Sequence, residues 1–202
     1  MMIVLSLFVI SGLFTVFQLV KIGGELKEIA DYDIILTEKF TQATIHQLHQ
    51  AIIFEKALRE GELIDEDEDE DEDEEIKIDY EKQKVYFNKL SNTFESEMDE
   101  MVIFVEDAKL HANSKDSAKK FANIQVAIKK INKEHHQYAA MANEIFAFID
   151  KREMDKAHKL TYDAEALQDQ IDRELEEALL DIEHFTEKSI KKALKKPLAM
   201  NL

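Results

Sequence analysis

The sequence predicts an all-α fold: an N-terminal transmembrane helix that continues into a long antiparallel up-down-up-down four-helix bundle. Three observations predict it. Met1 to Val20 carries no charged side chain. The 202 residues include only four Gly and one Pro, the residues that most often interrupt helices. Between the end of the apolar stretch and the C-terminus, four segments repeat apolar residues in steps of three and four.

Residues 1–22 are read as the membrane anchor. Twenty residues at helical rise span roughly 30 Å, the thickness of a bilayer core. A cleavable signal peptide wants a basic start, a shorter apolar core and a small-residue cleavage site. Of these, only Gly23-Gly24 offers anything comparable. The Lys residues that follow, Lys21, Lys27 and Lys39, favour a cytoplasmic bundle under the positive-inside rule.

The bundle is expected over residues 25–195, with helices near 25–60, 76–111, 115–149 and 151–194. Each is on the order of 50–65 Å long at 1.5 Å per residue. The third segment has the clearest seam: Phe121, Ile124, Ile128, Ile131, His135, Tyr138, Ala142, Ile145 and Ile149. The fourth gives Ala157, Leu160, Ala164, Leu167, Ile171, Leu175, Ala178, Ile182 and Phe185, with one slip after Ile171. The second gives Phe87, Leu90, Phe94, Met98, Met101, Val105 and Ala108. The first is more polar, and its predicted seam is Thr37, Thr41, Thr44, Leu48, Ala51, Glu55 and Leu58. No segment alternates with period two, so no sheet is expected.

The connections follow from polar breaks. His111 to Ser117 reads as a turn. Asp150-Lys-Arg-Glu153 has capping-box spacing, an Asp cap with a Glu three residues on. Residues 61–75 form the first connection, and Asp65 to Glu75 is eleven consecutive carboxylates. Like charges at that density repel, which predicts an extended, disordered spacer; loose divalent-cation binding is the other reading. The tail, residues 196–202, follows Lys188, Lys191, Lys192 and Lys195 and begins with Lys196. Those lysines suit either an anionic lipid surface or the negative end of a helix dipole.

Composition limits function. A net charge of −17 opposes nucleic-acid binding, which needs Lys and Arg against phosphate. Cys is absent, so there is no disulfide, thiolate metal site or Cys nucleophile. No nucleophile elbow, phosphate-binding Gly loop or zinc-protease helix motif is present, so an enzyme is not predicted.

One polar level deserves a site hypothesis. With the tip near residues 60 and 150, the first and third helices are offset by roughly 90 residues. That places His46 and His49 at the height of His135, His136 and Tyr138, with Glu165 and Gln168 facing them and Glu55 nearer the tip. Facing His and carboxylate side chains build metal sites in bundles, so His46, His49, Glu55, His135 and His136 are candidate metal or haem ligands. The competing reading is a polar seam that sets register. The residues three before each His are Ala43, His46, Ala108, Asn132, Lys133, Asp155 and Asp181. None is Glu, which argues against a di-iron carboxylate centre. No resident cofactor is predicted on the favoured reading.

The stretches Ile29-Ala-Asp-Tyr-Asp-Ile-Ile-Leu-Thr-Glu38, His46-Gln-Leu-His-Gln-Ala-Ile-Ile-Phe-Glu-Lys-Ala-Leu-Arg59 and Lys133-Glu-His-His-Gln-Tyr138 resemble the sensor domain of some methyl-accepting chemotaxis proteins. The resemblance runs from the membrane segment to about Phe185. It implies a dimeric four-helix bundle outside the bacterial cytoplasmic membrane, against the Lys distribution; with the one anchor expected over residues 1–22, this chain is expected to be single-pass. Such receptors signal through a second membrane helix and a long cytoplasmic coiled coil, and neither follows here before Leu202. The expected function is therefore a membrane-anchored, chemoreceptor-like sensory or partner-binding bundle without its own transmitter. It would be a homodimer or bind a partner membrane protein, with an unidentified ligand. The alternatives are a structural or accessory subunit of a membrane complex, or a metal- or haem-binding bundle protein at the His46/His135 level.

Overall fold

A computed structural model describes residues 16–17, 20, 23–24, 26–66 and 70–198, without the side chains of 65–66, 70–73 and 192–198. A π-helical turn, Ile29–Asp33, leads into α1 (Ile34–Glu66), followed by α2 (Glu70–Leu110), α3 (Lys115–Asp150) and α4 (Met154–Leu198). There is no strand among the described residues. Successive helices pack side by side, α4 closes against α1, and the α1–α3 diagonal is also in contact.

Cross-bundle pairs give the directions. Asp33 meets Lys120 and Gln50 meets His135, so α1 and α3 run parallel. Gln170 meets Glu134 and Glu174 meets Lys130, so α4 runs antiparallel to α3; Asn88 meets Asn143 and Asp99 meets Asn132, so α2 does too. The up-down-up-down arrangement is the one expected from matched lengths and short connections. The α1–α3 offset is 85 to 87 residues, near the expected 90.

The α3 seam is buried at every predicted position, and so is that of α2. On α4, Ala157, Ala164, Ile171, Leu175, Ala178 and Ile182 are buried, while Leu160, Leu167 and Phe185 are half-buried. The first helix differs from expectation. Its buried line is Leu36, Phe40, Ala43, Gln47, Gln50, Phe54, Ala57 and Ile64. This lies one residue, or about 100° of rotation, from the predicted seam. Of the predicted positions Ala51 is buried, Thr37, Thr44 and Leu58 are half-buried, and Thr41, Leu48 and Glu55 are exposed. The threonines serve the backbone instead: the hydroxyls of Thr37, Thr41 and Thr44 donate to the carbonyls of Asp33, Thr37 and Phe40.

Between the middle and the tip, aromatic rings from three helices fill the centre. Phe54, Phe87, Tyr138 and Phe146 meet with ring centroids 5.4–6.0 Å apart, in tilted and edge-to-face pairs. Helix α4 leaves room for them with Ala157 and Ala164. Nearer the tip, Gly61 packs on Ile149, whose Cγ2 would lie 2.7 Å from an added Cβ. Gly is the side chain that lets α1 approach α3 this closely.

The α3–α4 turn corrects the predicted capping box. Arg152 adopts φ 56°, its N–H bonds to the Ile149 carbonyl, and the Glu153 N–H reaches the Phe148 carbonyl. That pair of bonds is a Schellman ending of α3. Asp150 is the last residue of α3 and accepts from Lys84 Nζ on both oxygens, at 2.9 Å. At the opposite end, Ser114 caps α3 by accepting from the Ser117 N–H.

The first connection also differs from the extended loop expected over residues 61–75. Helix α1 continues to Glu66 because Gly61 and Ile64 are still buried, and α2 begins at Glu70. Residues 67–69 lie outside the described residues, as do most of the expected anchor over residues 1–22 and residues 199–202 of the tail. Among the described residues no helix is long and apolar enough to cross a membrane.

Candidate functional site

Three polar features interrupt the apolar interior. The first is the predicted histidine level. His135 occupies the α3 seam and is fully buried. Its Nε2 pairs with Gln50 Oε1 at 2.8 Å, and its ring stacks on Phe94 at 4.2 Å. Burial, aided by neighbouring His136, pushes the imidazole pKa down to about 3, so the ring is neutral at physiological pH. Gln47, one turn away on α1, is equally buried; neither of its amide atoms has a protein partner, and nor do Gln50 Nε2 and His135 Nδ1. Unpaired buried polar groups of this kind cost stability and narrow the ways a bundle can pack.

The remaining predicted ligands diverge from this point. His46 lies between α1 and α2 and pairs with Glu97 at 2.8 Å. His49 and Glu55 are exposed on α1. His136 pairs with Glu95 at 2.9 Å, and His135 Nδ1 stands 3.7 Å from the same carboxylate oxygen. Among the described residues no three His, Asp or Glu side chains are grouped so as to hold a metal ion. The heights are as predicted, but the facing directions are not. Tyr138 does meet Gln168, donating to its Oε1 at 3.2 Å. Burial, then the carboxylates of Asp172, Glu55 and Glu165, holds the Tyr138 phenol well above its ordinary pKa.

The second feature sequence reading missed. The π-turn buries Asp33, which pairs with Lys120 of α3 and accepts from the Thr186 hydroxyl of α4 at 2.9 Å. The Lys120 ammonium also lies 4.1 Å from the ring centroids of Phe121 and Phe185. Burial depresses its pKa while Asp33 acts in the opposite direction. Beside it, buried Glu28 accepts from the Asn113 N–H at 2.8 Å. This cluster ties α1, α3, α4 and the α2–α3 turn together at one end. Its only sequence signal is a lysine next to the α3 seam residue Phe121.

The third is a cleft of about 320 Å³ between α1 and α4 on the tip side of the bundle. Leu58, Met154 and Ala157 supply apolar surface; Glu55, Arg59, Glu62, His158, Tyr162 and Glu165 line it with polar groups. His158 pairs with Glu62 at 3.0 Å. Burial, then the charges of Glu55 and Asp169, raises the Glu165 carboxyl above its ordinary range. A guanidinium, an imidazole, a phenol and unlike-paired carboxylates around one small concavity can orient a polar molecule by several hydrogen bonds.

No family model matches the chain, and no curated protein matches it. Among solved structures it is similar to a de novo designed two-domain di-Zn(II) and porphyrin-binding protein. The identity is 17% and the TM-score 0.42, over 82% of this chain and 98% of that one.

Proposed function

We propose that this chain is a membrane-anchored, chemoreceptor-like sensory bundle that takes a small polar ligand. The α1–α4 cleft carries this reading. Its volume sits at the lower end of small-molecule sites, and polar side chains outnumber the apolar Leu58, Met154 and Ala157 around it, which suits a polar ligand. It lies on the tip side of the bundle, away from the end that a helix over residues 1–22 would attach to a bilayer. The bundle stands outside the bacterial cytoplasmic membrane in this proposal.

A thermal-shift screen of small amines, amino acids and carboxylates on the full chain in detergent tests it. The expected result is a ligand that raises Tm for the wild type and not for Arg59→Ala or Tyr162→Ala. A ligand effect that survives both substitutions, or no stabilising compound at all, contradicts the reading.

The second reading is a structural subunit of a membrane complex. It is favoured by one observation, the line of exposed Ile45, Leu48 and Ile52 on α1. Isolation of a stoichiometric complex with a different membrane protein, together with an empty ligand screen, would select it.

A further inference from the structure

The charges of the α1–α4 cleft are unbalanced and unevenly spread. Three carboxylates line it, Glu55, Glu62 and Glu165, against one guanidinium, that of Arg59. The neighbouring cations are engaged elsewhere: Lys56 pairs with Glu60, and His158 with Glu62. With Glu62 set against His158, two carboxylates remain for one guanidinium. Glu55 and Glu165 lie deeper along the bundle than Arg59, one on each wall, and among the described residues neither has an ion-pair partner. Burial, then the charges of Glu55 and Asp169, raises the Glu165 carboxyl, and no cation acts against them.

We infer that the cleft takes a small organic cation: an aliphatic ammonium seated between Glu55 and Glu165, with an uncharged oxygen on its stem held by Arg59. The inference rests on the reading of this cleft as the ligand site. The lining sets the sign of the ligand. An ammonium between the two walls relieves a repulsion that an anion would increase. The whole chain, at −17, adds a field of the same sign, and a concave site with low-dielectric walls concentrates it. The stem follows from Leu58, Met154 and Tyr162, apolar surface that a bare metal ion does not use. Nor, among the described residues, are three His, Asp or Glu side chains grouped to hold a metal. The oxygen follows from Arg59, whose guanidinium donates hydrogen bonds and cannot accept them. It stands four residues from Glu55, one turn nearer the tip on the same face. Side chains so spaced start ~5–6 Å apart, a step that a stem of about four carbons covers.

Thermal unfolding of the full chain in nonionic detergent, at fixed ionic strength, tests the inference with three probes of one length. They are butanolamine with its amine and hydroxyl at opposite ends, the γ-hydroxybutyrate anion, and butanediol with terminal hydroxyls. Butanolamine should raise Tm saturably, and the other two should not. Glu55→Gln and Glu165→Gln should each raise its half-saturating concentration at least about tenfold, the loss of one hydrogen bond to a charged group. Glu176→Gln and Glu183→Gln, exposed elsewhere on α4, should leave it unchanged. Stabilisation by γ-hydroxybutyrate in place of the amine would overturn the cation and leave the cleft a ligand site. An amine effect that survives Glu55→Gln and Glu165→Gln together, or that Glu176→Gln weakens equally, would overturn the seat between the two walls. Silence from all three probes would overturn the inference, and the wider screen with Arg59→Ala and Tyr162→Ala then decides the sensory reading separately.

Discussion

Helices α1 and α3 run parallel on opposite corners of the bundle, and they meet the core with different sequences. Helix α3 concentrates its large apolar residues in one stripe and has few outside it: Val126 is its exposed large hydrophobic. Helix α1 places two glutamines in its buried stripe and Ile45, Leu48 and Ile52 outside. The comparison teaches that apolar content along a helix does not by itself say which face is interior. In α1, the inner face is defined by Phe40, Phe54 and the partner it offers His135. The outer face leaves Ile45, Leu48 and Ile52 exposed.

The sharpest way to break that comparison is to truncate each face of α1. Phe54→Ala removes a ring packed against Phe87, Tyr138 and Phe146, and should cost about 3–5 kcal/mol. Leu48→Ala, on the exposed face, should stay within about 0.5 kcal/mol of wild type. Urea denaturation followed by circular dichroism measures both; equal losses would mean that the Leu48 face is part of the core.

A pH titration sharpens the account of the polar layer. The folded His135 pKa, about 3, lies below its ordinary 6.5. Below pH 6.5 the unfolded chain therefore takes up a proton that the native chain refuses. The stability tied to neutral His135 is fully present above pH 6.5 and is lost as pH falls toward 3. Between pH 7 and 4.5 the loss is about 3 kcal/mol. His135→Phe should lack this part of the acid sensitivity, so wild-type stability falls by about 3 kcal/mol relative to the variant over the same pH range. Parallel curves would show that the imidazole is protonated in the native bundle.

A smaller gain is expected from Gln47→Leu. It replaces two unpaired buried amide atoms with an apolar side chain of similar size, and should stabilise the chain by about 1–3 kcal/mol. A loss instead would mean that Gln47 has a partner in the working protein, whether water or ligand.

The fold was largely legible because α2, α3 and α4 state their interior faces without contradiction. The seam of α3, from Phe121 to Ile149, is buried at each predicted position. Helix α1 misled because its Gln47 and Gln50 dilute the inner stripe while its outer isoleucines and leucine compete with it. A shift of one residue followed. For the candidate site the same shift was decisive: helix lengths gave His46 and His135 a common height, yet 100° of rotation sends His46 to Glu97 and leaves Gln50 to meet His135. The signal that could have found this was the Gln47/Gln50 pair, spaced three apart on the face opposite Leu48. The Lys120–Asp33 pair was hidden because it depends on a π-turn, which adds a residue to the helical repeat and turns Asp33 inward. The α3–α4 turn likewise followed backbone geometry at Arg152, where the D-x-x-E spacing suggested a different use of Asp150.

The two-face account of α1 is tested most directly by thermal unfolding, followed by circular dichroism, of the full chain, Leu48→Lys and Ala43→Lys in the same detergent. The account predicts wild-type Tm and helical content for Leu48→Lys, whose position is exposed, and a large loss of both for Ala43→Lys, whose position is fully buried. A Leu48→Lys chain that unfolds like Ala43→Lys, or an Ala43→Lys chain as stable as the wild type, would contradict it.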